Sequence, residues 1–198
     1  MDFPREIKNA INLFSTLPSI GPRAAERIVL KLVKSPHASI DALAEAVREI
    51  KQCGFCRRCF NLADAPLCAI CADADRNQKI VCVVEDVLDL MAIEKKRIHA
   101  GLYHVLGGVA RIGQKDNTRS LTINSLKKRV KEENIKEIII ATNPTTTGDI
   151  TAVLVKDALK KYPGIKITRI SRGMPTGGDI EYADPDSIAG SFLGRSEF

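Results

Sequence analysis

Residues 52–71 read QCGFCRRCFNLADAPLCAIC and hold five of the chain's six cysteines. Two Cys-x-x-Cys pairs so close together constrain the fold strongly, because a metal held by four thiolates closes a small loop-rich module around itself. Five cysteines compete for four positions. Cys68 and Cys71 form one unambiguous pair, whereas Cys53/Cys56 and Cys56/Cys59 overlap. Cys53 stands where a preceding helix is expected to end, so its thiol direction is tied to that helix. Cys56 and Cys59 lie beyond it and can form a knuckle. Choosing them leaves the tighter loop FNLADAPL, whose Asn, Asp and Pro suit turns. The expected ligands are therefore Cys56, Cys59, Cys68 and Cys71, around one structural Zn²⁺ per chain with no open position. Cys53 is expected to cap the helix. Arg57 and Arg58, inside the first knuckle, are expected to offset the double negative charge of a zinc–tetrathiolate. The plain alternative is a set of free thiols without metal. Cys82, in an apolar run, is expected to be an inert core residue.

A metal reading of these cysteines fits a reducing compartment. The N-terminal MDFPREIKNA lacks a signal peptide's apolar stretch, and no run of about 18 apolar residues offers a membrane span. A cytoplasmic, nucleoid-associated protein with no membrane partner is the expectation. The 198 residues suffice for one large domain or two small ones. Aromatics are only 5% and Trp is absent, so the core must be aliphatic. A net charge of +6 suits a polyanionic partner.

Upstream of the cysteines the periodicity is helical. Ile7, Ala10, Ile11 and Phe14 predict a helix over 4–15. LPSIGPR follows as a hairpin, with Gly21 free to take positive φ and Pro22 suited to a first helical turn. A second helix runs through AAERIVLKLVK. A third is expected to open at Ser39 as N-cap, with Ile40, Leu43, Val47 and Ile50 on one face, and to end near Gln52 with Gly54 as terminator.

At Lys79 the pattern changes. IVCVVE, LYHVL, EIIIAT and IKITRI read as strands, separated by the helical segments DVLDLMAIEKKR, LTINSLKKRVKEE and ITAVLVKDALKKY. That alternation predicts a parallel α/β sheet with its site at the strand ends. The Gly-, Asp- and Ser-rich C-terminus has weak helical signal and reads as an arm.

Two sites follow from these elements. The Ile-Gly-Pro hairpin can present backbone N–H groups at a helix N-terminus to phosphate oxygens, and Arg23 and Arg27, one turn apart, can add cationic contacts to DNA or RNA. The competing interpretation is a packing corner with solvated arginines. Glu85, Asp86 and Asp89 follow the first strand and Asp149 follows the third. Such acids can hold Mg²⁺ for phosphoryl transfer, or merely favour helix N-termini. Only one acid lies on the second strand end, which argues against strong catalytic metal binding. His104, in an apolar strand, and Tyr103, Tyr162 and Tyr182 have no active-site context.

In order, LPSIGPRAAER, CRRCFNLADAPLCAIC, VCVVEDVLDLMAIEK, LYHVLGG, IIIATNPTTTGD and SRGMPTGGDIEYAD resemble the bacterial recombination protein family RecR over nearly the whole chain. The family's C-x2-C-x8-C-x2-C spacing matches Cys56, Cys59, Cys68 and Cys71 and leaves Cys53 extra. The resemblance implies an α/β protein in four parts. These are a helix-hairpin-helix DNA-binding domain (1–52), a four-cysteine zinc finger (53–78), a Toprim domain (79–174) and a C-terminal Walker-B-like arm (175–198). It further implies a ring-like homotetramer that clamps DNA and acts with RecO and RecF to load RecA on gapped DNA coated by single-strand-binding protein. Arg23 and Arg27 would face DNA. Glu85, Asp89 and Asp149 would form a partner contact or a weak Mg²⁺ site. The chain departs from the family in VARIGQKDNTRS after LYHVLGG and in Thr147, where an acid is common. The combined expectation is a non-enzymatic DNA repair mediator; the alternative is a Mg-dependent Toprim nuclease or primase.

Overall fold

The computed structural model describes residues 2–110 and 121–197, and the chain divides after Gln52 into two compact units. Most of the divergent VARIGQKDNTRS stretch, residues 111–120, lies outside the described residues.

The N-terminal unit holds α1 (Arg5–Ser15), α2 (Pro22–Val33) and α3 (His37–Glu49), then a 3₁₀ turn at Ile50–Gln52. Helices α1 and α2 form the expected hairpin. Its left-handed residue is Ser19 (φ 64), while Gly21 is extended (φ −79) and serves as N-cap of α2. Pro22 follows at the first helical position, where the missing N–H costs nothing. Helix α3 is capped three residues before the expected Ser39, by Pro36. Pro36 has pre-set φ and its carbonyl accepts from the Ser39 amide at 2.9 Å, so no side-chain cap is needed. Nor does Gly54 end this helix. α3 tightens into the 3₁₀ turn, and Gly54 joins a strand pair.

The second unit begins with the cysteine module, comprising β1 (Gly54–Phe55), antiparallel β2 (Leu62–Ala63) and the one-turn α4 (Ala69–Ala72). The sheet follows, in β3 (Asn77–Val84), β4 (Gly101–Val105), β5 (Glu137–Ala141) and β6 (Lys166–Arg169). All pairings are parallel, in the order β4-β3-β5-β6. The chain steps from β3 to one side and then returns past it, so right-handed crossovers put the connecting helices on opposite faces. Val81, Val83, Ile138 and Ile140 face α6 (Ile123–Glu132) and α7 (Thr146–Leu159), through Leu126, Val130, Val155 and Leu159. Cys82, Val84, Tyr103 and Val105 face α5 (Val87–Glu94) through Leu90, with Phe60 and Ile70 of the cysteine module beside them. Cys82 is thus a core residue. The direction reverses between β3 and β5, which in open α/β sheets marks the site-bearing crevice beyond the C-terminal strand ends.

Helix α7 starts four residues before the expected Ile150, because the Thr145 hydroxyl accepts from the Gly148 amide at 3.1 Å. The C-terminal stretch is more ordered than its composition suggests. A 3₁₀ turn (Ile180–Tyr182) leads to α8 (Pro185–Leu193), capped by Asp184, whose carboxylate accepts from the Ser187 amide at 2.9 Å. The Ser191 hydroxyl accepts from the Met174 amide and fastens α8 to the segment after β6.

Candidate metal centre, hairpin and strand-end site

The four cysteines expected to act together are together. The Sγ atoms of Cys56, Cys59, Cys68 and Cys71 lie within 4.8 Å of one another, all four residues buried. A tetrahedron with Zn–S bonds of about 2.3 Å requires S···S separations near 3.8 Å, which this cluster fits. Cys53 is exposed and outside the group. It does not cap α3 either, since that position belongs to Ile50. Short backbone bonds shape both knuckles. The Cys56 amide donates to Asn61 O at 2.7 Å and the Phe60 amide to Cys56 O at 2.9 Å, with Phe60 itself left-handed (φ 64). Cys68 caps α4, which carries Cys71. Hydrogen bonding from Cys59, aided by the Arg129 charge, favours the Cys71 thiolate against the opposing effect of burial, while the same bond and burial push Cys59 far up.

Of the two knuckle arginines, only Arg58 turns inward. It donates through Nε and Nη2 to Glu133 at 3.0 and 2.9 Å, and through Nη1 to Gln78 at 2.8 Å. Arg57 is exposed. Glu133 also accepts from Arg129 at 2.8 Å; burial raises its pKa, but the two guanidiniums outweigh burial and hold it low. The Val105 amide of edge strand β4 donates to Cys59 O at 2.8 Å. The Phe60 ring meets His104 edge-on at 5.4 Å. Metal module and sheet edge are therefore bonded through backbone, ring and ion pair.

At the hairpin, Arg23 and Arg27 are both exposed, and neither makes an ion pair among the described residues. Gly21 gives α2 no side-chain cap, so the first amides of the helix stay open to an external acceptor. A Cβ at Gly21 would meet nothing within 4 Å, so the approach is clear. A cavity of about 310 Å³ on the same helix is lined by Ala24, Arg27, Ile28 and Lys31. Lys31 extends the basic face by one turn, a step that i, i+4 spacing from Arg27 could have revealed.

The strand-end acids are each engaged. Glu85 is buried and accepts from the Asn143 amide at 2.9 Å and its Nδ2 at 2.7 Å, which ties the end of β3 to the end of β5. Asp89 and Asp86 form a reciprocal capping box at the start of α5. Asp149 turns away from them. It accepts from Arg169 at 2.6 Å and from Arg172, and these guanidiniums, Arg172 first, hold its carboxyl below the usual range. Gly148 makes the crevice compatible with this network. A Cβ there would sit 2.1 Å from Asn143 O and 2.8 Å from Glu85 Oε1. Asn143, Gly148, Arg169 and Arg172 were not singled out from sequence. Among the described residues, the cysteines are the group whose ligand atoms gather closely enough to share an ion. His104 is buried and its Nε2 meets the Thr122 hydroxyl at 2.9 Å. That hydroxyl donates to Val105 O, so the imidazole donates from Nε2 and serves structure.

A helical hairpin, a four-cysteine knuckle and a parallel sheet with acids at its switch point define a modular protein of the Toprim type that carries a helical hairpin. The family comparisons agree in chain order. Residues 7–51 match the helix-hairpin-helix of RecR, 54–73 its four-cysteine zinc finger domain, 79–171 the Toprim domain and 173–196 the RecR C-terminal region. The chain is 43% identical over 192 residues to the recombination protein RecR of Chloroflexus aurantiacus, covering 96% of this chain and 94% of that one. It is 41% identical over 196 residues to that of Rubrobacter xylanophilus (98% of each chain), and 41% to that of Thermosynechococcus vestitus (98% and 96%). The chain belongs to the RecR family of recombination proteins. Its role is accordingly in DNA recombination and repair.

Proposed function

We propose that this protein is a non-enzymatic mediator of recombination that grips DNA through phosphate contacts of the hairpin. The observation that carries this reading is the uncapped, sterically open start of α2, flanked by the exposed Arg23 and Arg27, which make no ion pair among the described residues. Helix N-terminal amides and arginines suit phosphate oxygens, and such contacts fix position without reading sequence. Cys56, Cys59, Cys68 and Cys71 would hold Zn²⁺, whose contribution is to fold the module and brace it on β4. Glu85, Asp89 and Asp149 would engage a partner protein, or at most a weakly held Mg²⁺. The commitment of Asp149 to two arginines supports a contact role over phosphoryl transfer. Family likeness extends the proposal to action with RecO and RecF in loading RecA on gapped DNA coated by single-strand-binding protein, as a clamp-like oligomer in the cytoplasm.

The test is Arg23→Ala combined with Arg27→Ala in the full chain, read by fluorescence anisotropy on gapped DNA. Binding is expected to weaken about tenfold or more, with a salt slope shallower by nearly two, since each lost phosphate contact removes about 0.9. The melting temperature should hold. Unchanged affinity would remove the hairpin from the mechanism.

A further inference from the structure

The most deeply placed arginine of the larger unit has no part in that reading. Arg129, on α6, has a side chain only 3% exposed. Its Nη1 donates to the Tyr103 carbonyl at 2.6 Å and its Nε to Glu133 at 2.8 Å. Its Nη2 is buried and finds no acceptor among the described residues. A buried charged donor without an acceptor is costly, and native structures seldom keep one without a purpose. The surroundings indicate the purpose. Arg129 shares a groove of about 380 Å³ with Arg57, Arg58 and Leu67 of the cysteine module. It is joined to the module through Glu133, which Arg58 also holds. Arg58 in turn reaches the carbonyl of Cys71 at 3.4 Å.

The charge balance points the same way. Four thiolates around Zn²⁺ carry two negative charges in excess, and burying them without countercharge is expensive. Arg57, next to Cys56 in sequence, is exposed and does not serve. Arg58 and Arg129 share the single carboxylate of Glu133, so the three groups together keep one net positive charge beside the module. Arg129 brings a second buried positive charge and an uncommitted N–H, and a metal-bound thiolate is a charged acceptor where a thiol is a poor one.

We propose that Arg129 is the counter-charge of the zinc centre, so that metal binding and docking of the cysteine module onto β4 form one coupled event. The coupling is direct, because the arginine that lines a groove with the module also holds the Tyr103 carbonyl of β4. The inference rests on reading the four cysteines as a zinc site.

Zinc affinity of the full-length protein, measured by competition with a chromogenic chelator, tests it. Arg129→Met should weaken zinc binding at least tenfold. Arg57→Ala, the same formal charge change at an exposed site, should stay within twofold. Glu133→Gln is the decisive control. A merely structural brace fails when either end is cut, whereas removing Glu133 leaves the countercharge in place, so zinc should bind as tightly as in the wild type or more tightly. Glu133→Gln as weak as Arg129→Met, or Arg129→Met as tight as wild type, overturns the proposal. Should Arg129→Met not fold, Arg129→Lys carries the contrast, since it keeps the charge. It should retain zinc better than a Cys59→Ser control, and equal loss in the two overturns the proposal. Wild-type protein that takes up no zinc would instead overturn the metal reading itself.

Discussion

Individual side chains in the second unit are set by what lies across the sheet from them. His104 is the plainest case. Burial, with the Arg129 charge adding to it, depresses its pKa from 6.5 to about 4, so the folded state keeps the ring neutral. The sign follows from linkage. Between those values the unfolded chain binds a proton that the folded chain refuses, so stability rises with pH. This contribution is full above about 6.5 and is lost as pH falls toward 4. Thermal melts of the full chain from pH 7 to 4 should show the decline, and His104→Gln should flatten it. An unchanged pH slope in that variant would assign the decline to carboxylates such as Glu133. The sequence showed His104 in an apolar strand, but Thr122 as its partner could not be read there, since no spacing rule links residues of different elements. The same limit hid Asn143. It meets Glu85 only because β3 and β5 are neighbours in register.

At the level of elements, hydrophobic periodicity carried most of the fold. Every strand of the parallel sheet and the helices packed on it were legible, because runs such as IVCVV and EIII have one physical outlet, a buried parallel sheet. Errors fell at element boundaries, at the end of α3, where Cys53 and Gly54 play no part, and at helix starts. Thr145 and Asp184 open α7 and α8 through side-chain caps, and both were passed over in segments rich in turn residues. For α8 the signal was present as Asp184, Pro185 and Ser187, a cap followed by a first-turn proline. Gly190 lets this helix seat on Arg172, whose carbonyl would lie 2.8 Å from an added Cβ, and Arg172 is in turn held by Asp149. Asp149→Asn should therefore loosen the C-terminal segment. Solvent screens this surface ion pair, so local opening should rise only modestly. Limited proteolysis read by mass spectrometry checks this; cleavage between residues 172 and 184 should accelerate while the sheet stays intact. Unaltered protection would mean that the Ser191 bond holds the segment alone.

On the scale of the whole molecule, the apolar surface left uncovered is the informative feature. Helix α3 buries none of its residues, and Leu43, Val47 and Ile50 stand open on the stripe the periodicity defined. The C-terminal segment adds Ile180, Tyr182, Phe192 and Leu193, all more than two-thirds exposed. Exposed apolar faces of this kind are a common feature of interaction surfaces. They favour the proposed self-assembly, in which a hairpin from each copy could face the same DNA. Mass measurement in solution, with and without DNA, should find an oligomer. Val47→Glu with Phe192→Glu should shift it to smaller species without lowering zinc content. A wild-type monomer indifferent to DNA would defeat the clamp.

Gly148 carries a consequence for how the sequence can vary. Every other residue type has the Cβ that would collide with Asn143 and Glu85, and the first of those obstacles is backbone, which no rotamer change can clear. The position has no tolerated neighbour in sequence space. A lineage could exchange the exposed Thr146 at little cost, yet any amino-acid change at Gly148 would have to open the crevice before selection could act on what replaced it.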